Sequence, residues 1–514
     1  MYHPRVPTPA AAMPLPPPRA DVVVIGGGPA GSTTATLLAR EGANVAVFER
    51  ERFPRYHIGE SLLTALHPIL ELAGLCEKIE RFGFVKKYGG FFRVKQGTPA
   101  GHIDFTRNEI HKYSYQVRRS DFDKLLLDHS REQGAAVHEE TAIDEIVFDG
   151  ERPVAVQWSQ PSGRTGRTDC GALVDASGLS GLMARKYLRN RHVQETFANV
   201  AIGGYWRGAR PYHDEAGTAH PGAFSMEALA DGSGWTWAIP LHDGTLSVGV
   251  VIHRDTYRAW KAELDGNEGI YRRGIALCPD IQRLLADASF QGELHEWADY
   301  SYVADDFAGP GFRLAGDAAA FIDPLFSSGV HLALLGGLSA AATLQAVARG
   351  EMDEAGAGRY HDRYVRRAYT RFVVMVAGFY NQIRQQEQVT LHGVEPTNFQ
   401  DAFNLIQPVV SGNTDVNHRD LNLDVLRRTM KYTTDMMLEL HNMPTGNPVA
   451  KLMSTKVLDE NIGDPFDAID GTYIRMKTGE LGLVGMGRME GWFQDLKVAF
   501  IRKVLQVKDV GVAG

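Results

Sequence analysis

Three glycines offer the first chemistry in the sequence. Gly26, Gly28 and Gly31 form a G-x-G-x-x-G run directly after the apolar stretch DVVVI, at the head of an alanine- and leucine-rich segment, and Glu49 closes the later stretch NVAVFE. At the turn between a strand and a helix, such glycines let the backbone bend and come close to a pyrophosphate. The phosphate charge then meets the free N–H groups and positive dipole end of the helix, which Pro29 and Ala30 would start. A carboxylate at the Glu49 position accepts hydrogen bonds from ribose hydroxyls and favours an adenosine diphosphate group without a 2′-phosphate. A bare turn would use glycines too, but strand, helix and acidic residue together point to a dinucleotide. The motif alone leaves FAD and NAD unseparated.

The elements that must hold this site follow from pattern. DVVVI, the segment to Arg40 and NVAVFE read as strand, helix and strand, the start of a doubly wound sheet. Short alternating runs at 136–147 and 154–158 lead to ALVDASG at 172–178, and residues 200–251 form a second block rich in aromatic and β-branched residues. FRLAGDAAAFIDPLFSSGVHLALLGGLSAAATLQAVA then reads as a strand, a loop and a long helix returning to the first domain. From about residue 350 helical spacing takes over. The expected fold is mixed α/β: a Rossmann-like dinucleotide domain (21–85, 115–185, 300–345) interleaved with a β-sheet substrate domain (86–114, 186–299), then a mainly helical C-terminal region (346–514).

Composition narrows the function. A chain of 514 residues with 44% hydrophobic residues can bury a large core, and its net charge of −8 lacks the positive footprint of a nucleic-acid binder. Cys76, Cys170 and Cys278 are far apart and include no C-x-x-C pair, so neither a disulfide framework nor a cysteine metal site is expected, and a reducing, cytoplasmic setting fits. The proline-rich residues 1–20 lack the apolar run of a signal peptide and read as a disordered lead. No stretch is unbroken and apolar for the roughly 18 residues of a membrane span.

Four motifs carry a resemblance. LAGDAAAFIDP resembles the second flavin fingerprint of the para-hydroxybenzoate hydroxylase-like flavoproteins. That implies FAD, with Asp317 on the ribityl chain and Pro324, Gly329 and Val330 facing the isoalloxazine. FPRYHIGESLL (53–63), GWTWAIP (234–240) and DPLFSSGVHLA (323–333) are similar to the matching stretches of flavin-dependent halogenases, and the G-W-x-W-x-I-P signature is complete at Gly234, Trp235, Trp237, Ile239 and Pro240. One Trp-x-Trp pair on a strand could be core packing alone. The resemblance spans about residues 21–345 and weakens beyond them.

It implies FADH2 supplied by a separate flavin reductase, O2, and chloride or bromide. In the family a flavin hydroperoxide oxidises halide to hypohalous acid, which halogenates a small electron-rich molecule. It adds Arg50, Ser61 and Arg118 to the cofactor set, assigns Trp235 and Trp237 to a divide between flavin and substrate, and gives Ser328 and Gly329 to the halide. Their amides, after a proline and before an apolar helix, could form an anion nest. GFVKKYGGFFR (83–93) resembles the lysine segment of the phenol halogenases, with Lys87 as the halogen relay and Lys86 its solvent-facing neighbour by strand alternation. Lys87 could act as an ammonium polarising hypohalous acid or, with its pKa lowered, as an amine forming a chloramine.

Where tryptophan halogenases carry a glutamate, this chain has Phe326, and Val94 stands where many bacterial members have tryptophan. The first resembles the branch that acts on phenols and pyrroles; the second, with the lysine segment and the long C-terminal region, resembles the fungal type that halogenates free aromatic polyketides, so the implied substrate is phenolic. His57 and His331 are more readily structural than catalytic. A single-component FAD/NADPH aromatic hydroxylase is the alternative, opposed by the complete tryptophan signature and by Ala320 where many hydroxylases carry histidine. A flavin-binding protein with a decayed site would not account for lysine, tryptophans and halide loop together.

Overall fold

Val22–Ile25 and Val45–Phe48 are unbroken apolar runs, the pattern of strands covered on both faces. They pair in parallel at the heart of an eight-stranded sheet. In the computed structural model, which describes residues 15–485 apart from 109, 299, 385–398, 417–422, 445–446, 456, 460 and 463–467, the sheet runs Ala308–Gly309, Phe312–Leu314, Thr165–Asp175, Arg19–Ile25, Val45–Phe48, Ala136–His138. The last five strands of that order are parallel. Ala142–Asp149 and Arg152–Ser159 continue it as an antiparallel hairpin beside Thr165–Asp175.

A second sheet of seven strands runs Ser289–Ala298, Asn199–Arg207, Thr245–His253, Gly234–Pro240, Phe224–Ala228, Gly89–Arg93, Gly101–Asp104. It is antiparallel except where Phe224–Ala228 meets Gly89–Arg93. One apolar core runs through the first sheet, its helices and the C-terminal helices, and a smaller one lies between the second sheet and the helices of 254–285.

The helix Ser328–Ala348 is long and apolar enough to cross a membrane, yet 94% of its most apolar stretch is buried inside the fold. It packs between Pro29–Arg40 and Glu354–Arg384, close enough that Gly337 faces Thr34. Its small residues are what permit that approach.

One expectation needs correction. The proline-rich lead is not loose to residue 20: the first strand begins at Arg19, and the carbonyls of Pro17 and Pro18 accept hydrogen bonds from Thr168 Oγ1 and Asp169 N, because a proline that cannot donate can still accept. Residues 1–14 lie outside the described residues. The C-terminal region, largely helical, also carries a hairpin, Thr472–Arg475 with Gly482–Gly485, packed on the Ser328–Ala348 helix. The remainder of that region, 486–514, lies outside the described residues.

Candidate active site

Between the two sheets lies a cavity of about 600 Å³. Gly26, at φ +102°, turns the chain where a Cβ would sit 2.3 Å from the Ala176 carbonyl, and a Cβ on Gly31 would meet the Gly26 carbonyl at 1.9 Å. Gly31 therefore serves helix packing and does not line the cavity, whereas Gly26, Gly28, Pro29 and Ala30 do. Gly28 caps the helix without a side-chain hydrogen bond, which leaves first-turn N–H groups open to an anion. Glu49 takes 2.7 Å and 2.8 Å hydrogen bonds from the Gly27 and Glu51 amides, and each oxygen keeps a lone pair for a ribose hydroxyl.

Farther along, Arg50, Ser61, Asp317, Pro324, Gly329, Val330, Trp235 and Trp237 also line the cavity. Burial pushes the Asp317 carboxyl up to about 6, against the pull of Arg119 and Arg191. Arg118 does not join them. It turns outward to the half-buried Asp243, at 2.7 Å, and its neighbour Arg119 enters the cavity wall instead. The reason is helix geometry: Arg118 is the extended cap residue of Arg119–Glu132, whereas Arg119 faces Asp123 one turn on and holds it bidentately at 2.7 Å and 2.9 Å. Arg55, which also pairs with Asp123, reaches the Gly28 turn.

The tryptophan strand Gly234–Pro240 presents both indoles on one face, 6.1 Å apart. Trp235 Nε1 donates to Tyr380 Oη at 2.7 Å, and Tyr380 donates to Asp323 at 3.0 Å, so a C-terminal helix braces both the tryptophan and the loop before Pro324. Trp237 fits because Gly249 and Gly203 face it: a Cβ on Gly249 would lie 2.1 Å from the indole.

Ser327 sits at φ +59°, ψ 28° and caps the Ser328–Ala348 helix with no side-chain hydrogen bond. Gly329 and Val330 line the large cavity; Ser328 is buried just behind it. His331 is bonded to buried Asp415 at 2.9 Å, and His57, lining the cavity, is lowered by burial to about 4.

Lys87 lies in a second, smaller cavity of about 10 Å³, room for about one water-sized molecule. Leu63, Phe92, Phe105, Phe224, Phe326 and Ser327 are among its walls, and Phe224 and Ser327 line both cavities. Among the described residues Lys87 is the buried lysine, at 4% exposure, whereas Lys86 reaches out to Glu80. Lys87 Nζ donates to the Leu62 carbonyl at 3.1 Å and sees the Phe105 and Phe224 rings, and among the described residues no carboxylate pairs with it. Burial lowers its pKa to about 7.

A row of polar residues lies between Ser61, which lines the larger cavity, and Lys87, which lines the smaller. Lys87 stands opposite Ser114, and Gln116 opposite Ser61, in antiparallel register, so all four side chains share one face. Ser61 Oγ, Gln116 Oε1 and Ser114 Oγ are buried and find no hydrogen-bond partner among the described residues. Buried polar atoms cost about 1–3 kcal/mol each unless a water or another small hydrogen-bonding molecule meets them.

Residues 19–375 match the FAD binding domain family. Flavin-dependent halogenase armH1 of Armillaria mellea is 39% identical over 91% of this chain and 99% of its own length, and sulochrin halogenase gedL of Aspergillus terreus is 39% identical over 91% and 93%. The chain belongs to the flavin-dependent halogenases. Its structure agrees: the myxobacterial chondrochloren halogenase CndH superposes with a TM-score of 0.66 at 32% identity, covering 84% of this halogenase and 99% of that chain.

The halogenase's cavity fits FAD. The Gly26–Ala30 turn with Arg55 would hold the pyrophosphate, Glu49 the adenosine ribose, Asp317 the ribityl chain, and Pro324, Gly329 and Val330 the ring. Sequence reasoning missed Arg119, Arg55, Phe224 and Glu60. For Arg119 a signal was present, the i,i+4 spacing to Asp123; for Phe224 and Glu60, whose roles depend on distant strands, none was.

Proposed function

We propose that this halogenase oxidises chloride or bromide to hypohalous acid at the Ser328–Gly329 amides and that Lys87 relays the halogen to a phenolic, polyketide-like substrate. The observation that carries it is the row of polar residues between Ser61, on the cofactor cavity, and buried Lys87. When bound, FAD reduced by a separate flavin reductase supplies the electrons that, with O2, form the oxidant. The protein's own part is to seat the halide on backbone N–H groups, to keep the phenol away from the oxidant with Trp235 and Trp237, and to hold the hypohalous acid. Lys87 donates a hydrogen bond to that acid as an ammonium or takes the halogen as an amine; with its pKa near 7 both forms are present at neutral pH. Phe326, in place of a carboxylate, leaves the phenol oxygen to supply the electron push. The free Cys76, Cys170 and Cys278 fit a reducing compartment such as the cytoplasm.

The test combines the FAD-loaded protein, a flavin reductase, chloride or bromide, and a panel of phenols, with isotope patterns read by mass spectrometry. Wild type halogenates a phenol. Lys87→Ala keeps FAD and still forms hypohalous acid, trapped by a thiol, but yields no halophenol. Unchanged halogenation by that variant overturns the relay.

A further inference from the structure

Glu60 is buried to 1% exposure on the wall of the cofactor cavity, back to back with Ser61 on an extended segment. Its carbonyl accepts the Val117 amide at 2.7 Å, which fixes the segment and aims its side chain at the second sheet, away from Lys87. Tyr205 Oη donates to Glu60 Oε1 at 2.8 Å, and Tyr56 Oη lies 3.5 Å from Tyr205 Oη. No hydrogen bond of good geometry reaches Glu60 Oε2 among the described residues. Tyr56 is 44% exposed at the cavity mouth and is held there by stacking on His295, ring centroids 4.0 Å apart. A line of exchangeable protons thus runs from solvent through Tyr56 and Tyr205 to a buried carboxyl on the cavity wall, whose other polar neighbour is Ser247.

The proposed halide oxidation needs such a line. Two electrons from chloride and two from reduced flavin take one O2 to one hypochlorous acid and one water. The flavin's two hydrogens do not suffice; one further proton must enter for atoms and charge to balance. Transfer of halogen to the aromatic ring exchanges it for the ring hydrogen and releases water, so it returns no proton. Each turnover therefore consumes one proton inside a cavity that the cofactor would fill.

We propose that Glu60 delivers this proton and is recharged through Tyr205 and Tyr56. The step breaks the Glu60 O–H bond and forms an O–H bond on the oxygen leaving as water or hypohalous acid; Tyr205 then returns a proton to the carboxylate and takes one from Tyr56. The surroundings favour a carboxyl able to cycle. Burial raises Glu60 to about 7, while Ser247, Tyr205, Arg119 and Arg118 favour its ionised form. Arg119 is shared with Asp123 and Asp317, and Glu293 faces Tyr56. The acid form is thus present below about pH 7 and is lost above it.

The proposal rests on the proposed halide oxidation, and the experiment separates the two. Hypohalous acid is trapped with a thiol, without a phenol, in wild type, Glu60→Gln and Tyr205→Phe, with proton uptake followed by an indicator dye and the carboxyl infrared band recorded on the FAD-loaded protein. Wild type takes up one proton per hypohalous acid and shows a carboxyl band titrating near pH 7; Glu60→Gln loses that band and slows trapping by about 100-fold, the size of one general-acid contribution. Tyr205→Phe keeps a carboxyl band and a fast first turnover but slows later ones, a split that a merely structural tyrosine would not give. No hypohalous acid from wild type would sink the halide reading. Wild-type proton uptake and trapping in both variants, or a Glu60→Gln defect confined to FAD affinity, would overturn the proton path alone.

Discussion

Replacing Lys87 by Met tests whether the lysine is as desolvated as its surroundings imply. Burial lowers its pKa from 10.5 to about 7, with no anion among the described residues to compensate. Between those values the folded protein holds a neutral amine while the unfolded chain holds an ammonium. The unfolded state then binds more protons, so this group makes stability rise with pH across the window. Each unit is worth about 1.4 kcal/mol; allowing for half-protonation at the lower end, raising pH from about 7 to about 9 recovers roughly 2 kcal/mol. Met fills the same apolar space and titrates nothing. Urea denaturation of both FAD-saturated proteins should show Lys87→Met the more stable near pH 7, with its lead shrinking by about 2 kcal/mol towards pH 9. Effects of pH on other groups cancel in the difference. A lead that does not change with pH would refute the desolvation argument, and with it the supply of neutral amine that chloramine formation requires.

Three further outcomes bear on the cofactor site. Arg119→Ala should destabilise the protein by about 3–5 kcal/mol and abolish FAD binding, because Asp123 is left buried with Arg55 alone, whereas Arg118→Ala should leave FAD affinity unchanged in a fluorescence titration. Glu49→Ala, which strands the Gly27 and Glu51 amides, should weaken FAD by about 10- to 100-fold in the same assay, the worth of a charge-assisted hydrogen bond. Gly249→Ala should lower the melting temperature through a cost of about 1–3 kcal/mol, since its Cβ would fall 2.1 Å from the Trp237 ring, and should blue- or red-shift tryptophan fluorescence.

What the sequence made legible is what local rules control. The Gly26–Gly31 turn, its strand and its helix depend on neighbours within a few residues, and Lys86 and Lys87 separate by alternation alone. The choice between Arg118 and Arg119 needed one more local fact, which residue begins the helix, and an error of one position reversed it. Glu60 was beyond reach. Its neighbours in GES do not show that strands from 199–207 and 245–253 close over it, and only those strands make the carboxyl buried and paired to Tyr205. The same holds for the brace on Trp235, since nothing near residue 235 announces Tyr380 or Asp323.

The division of labour between tryptophans and lysine looks different once the two cavities are separate objects. Trp235 and Trp237 line only the large cavity, while Phe224 and Ser327 belong to both. Under the proposed relay, the tryptophans shape the chamber where the oxidant forms, and passage towards Lys87 is controlled by a phenyl ring and a serine held at positive φ. Ser327 also caps the helix whose amides would seat the halide. Under the proposal, one backbone conformation, a serine where glycine is usual, would set both where the halide waits and how the oxidised halide leaves. Under the same proposal, the smaller cavity, roomy enough for about one water-sized molecule, would pass hypohalous acid but not a phenol.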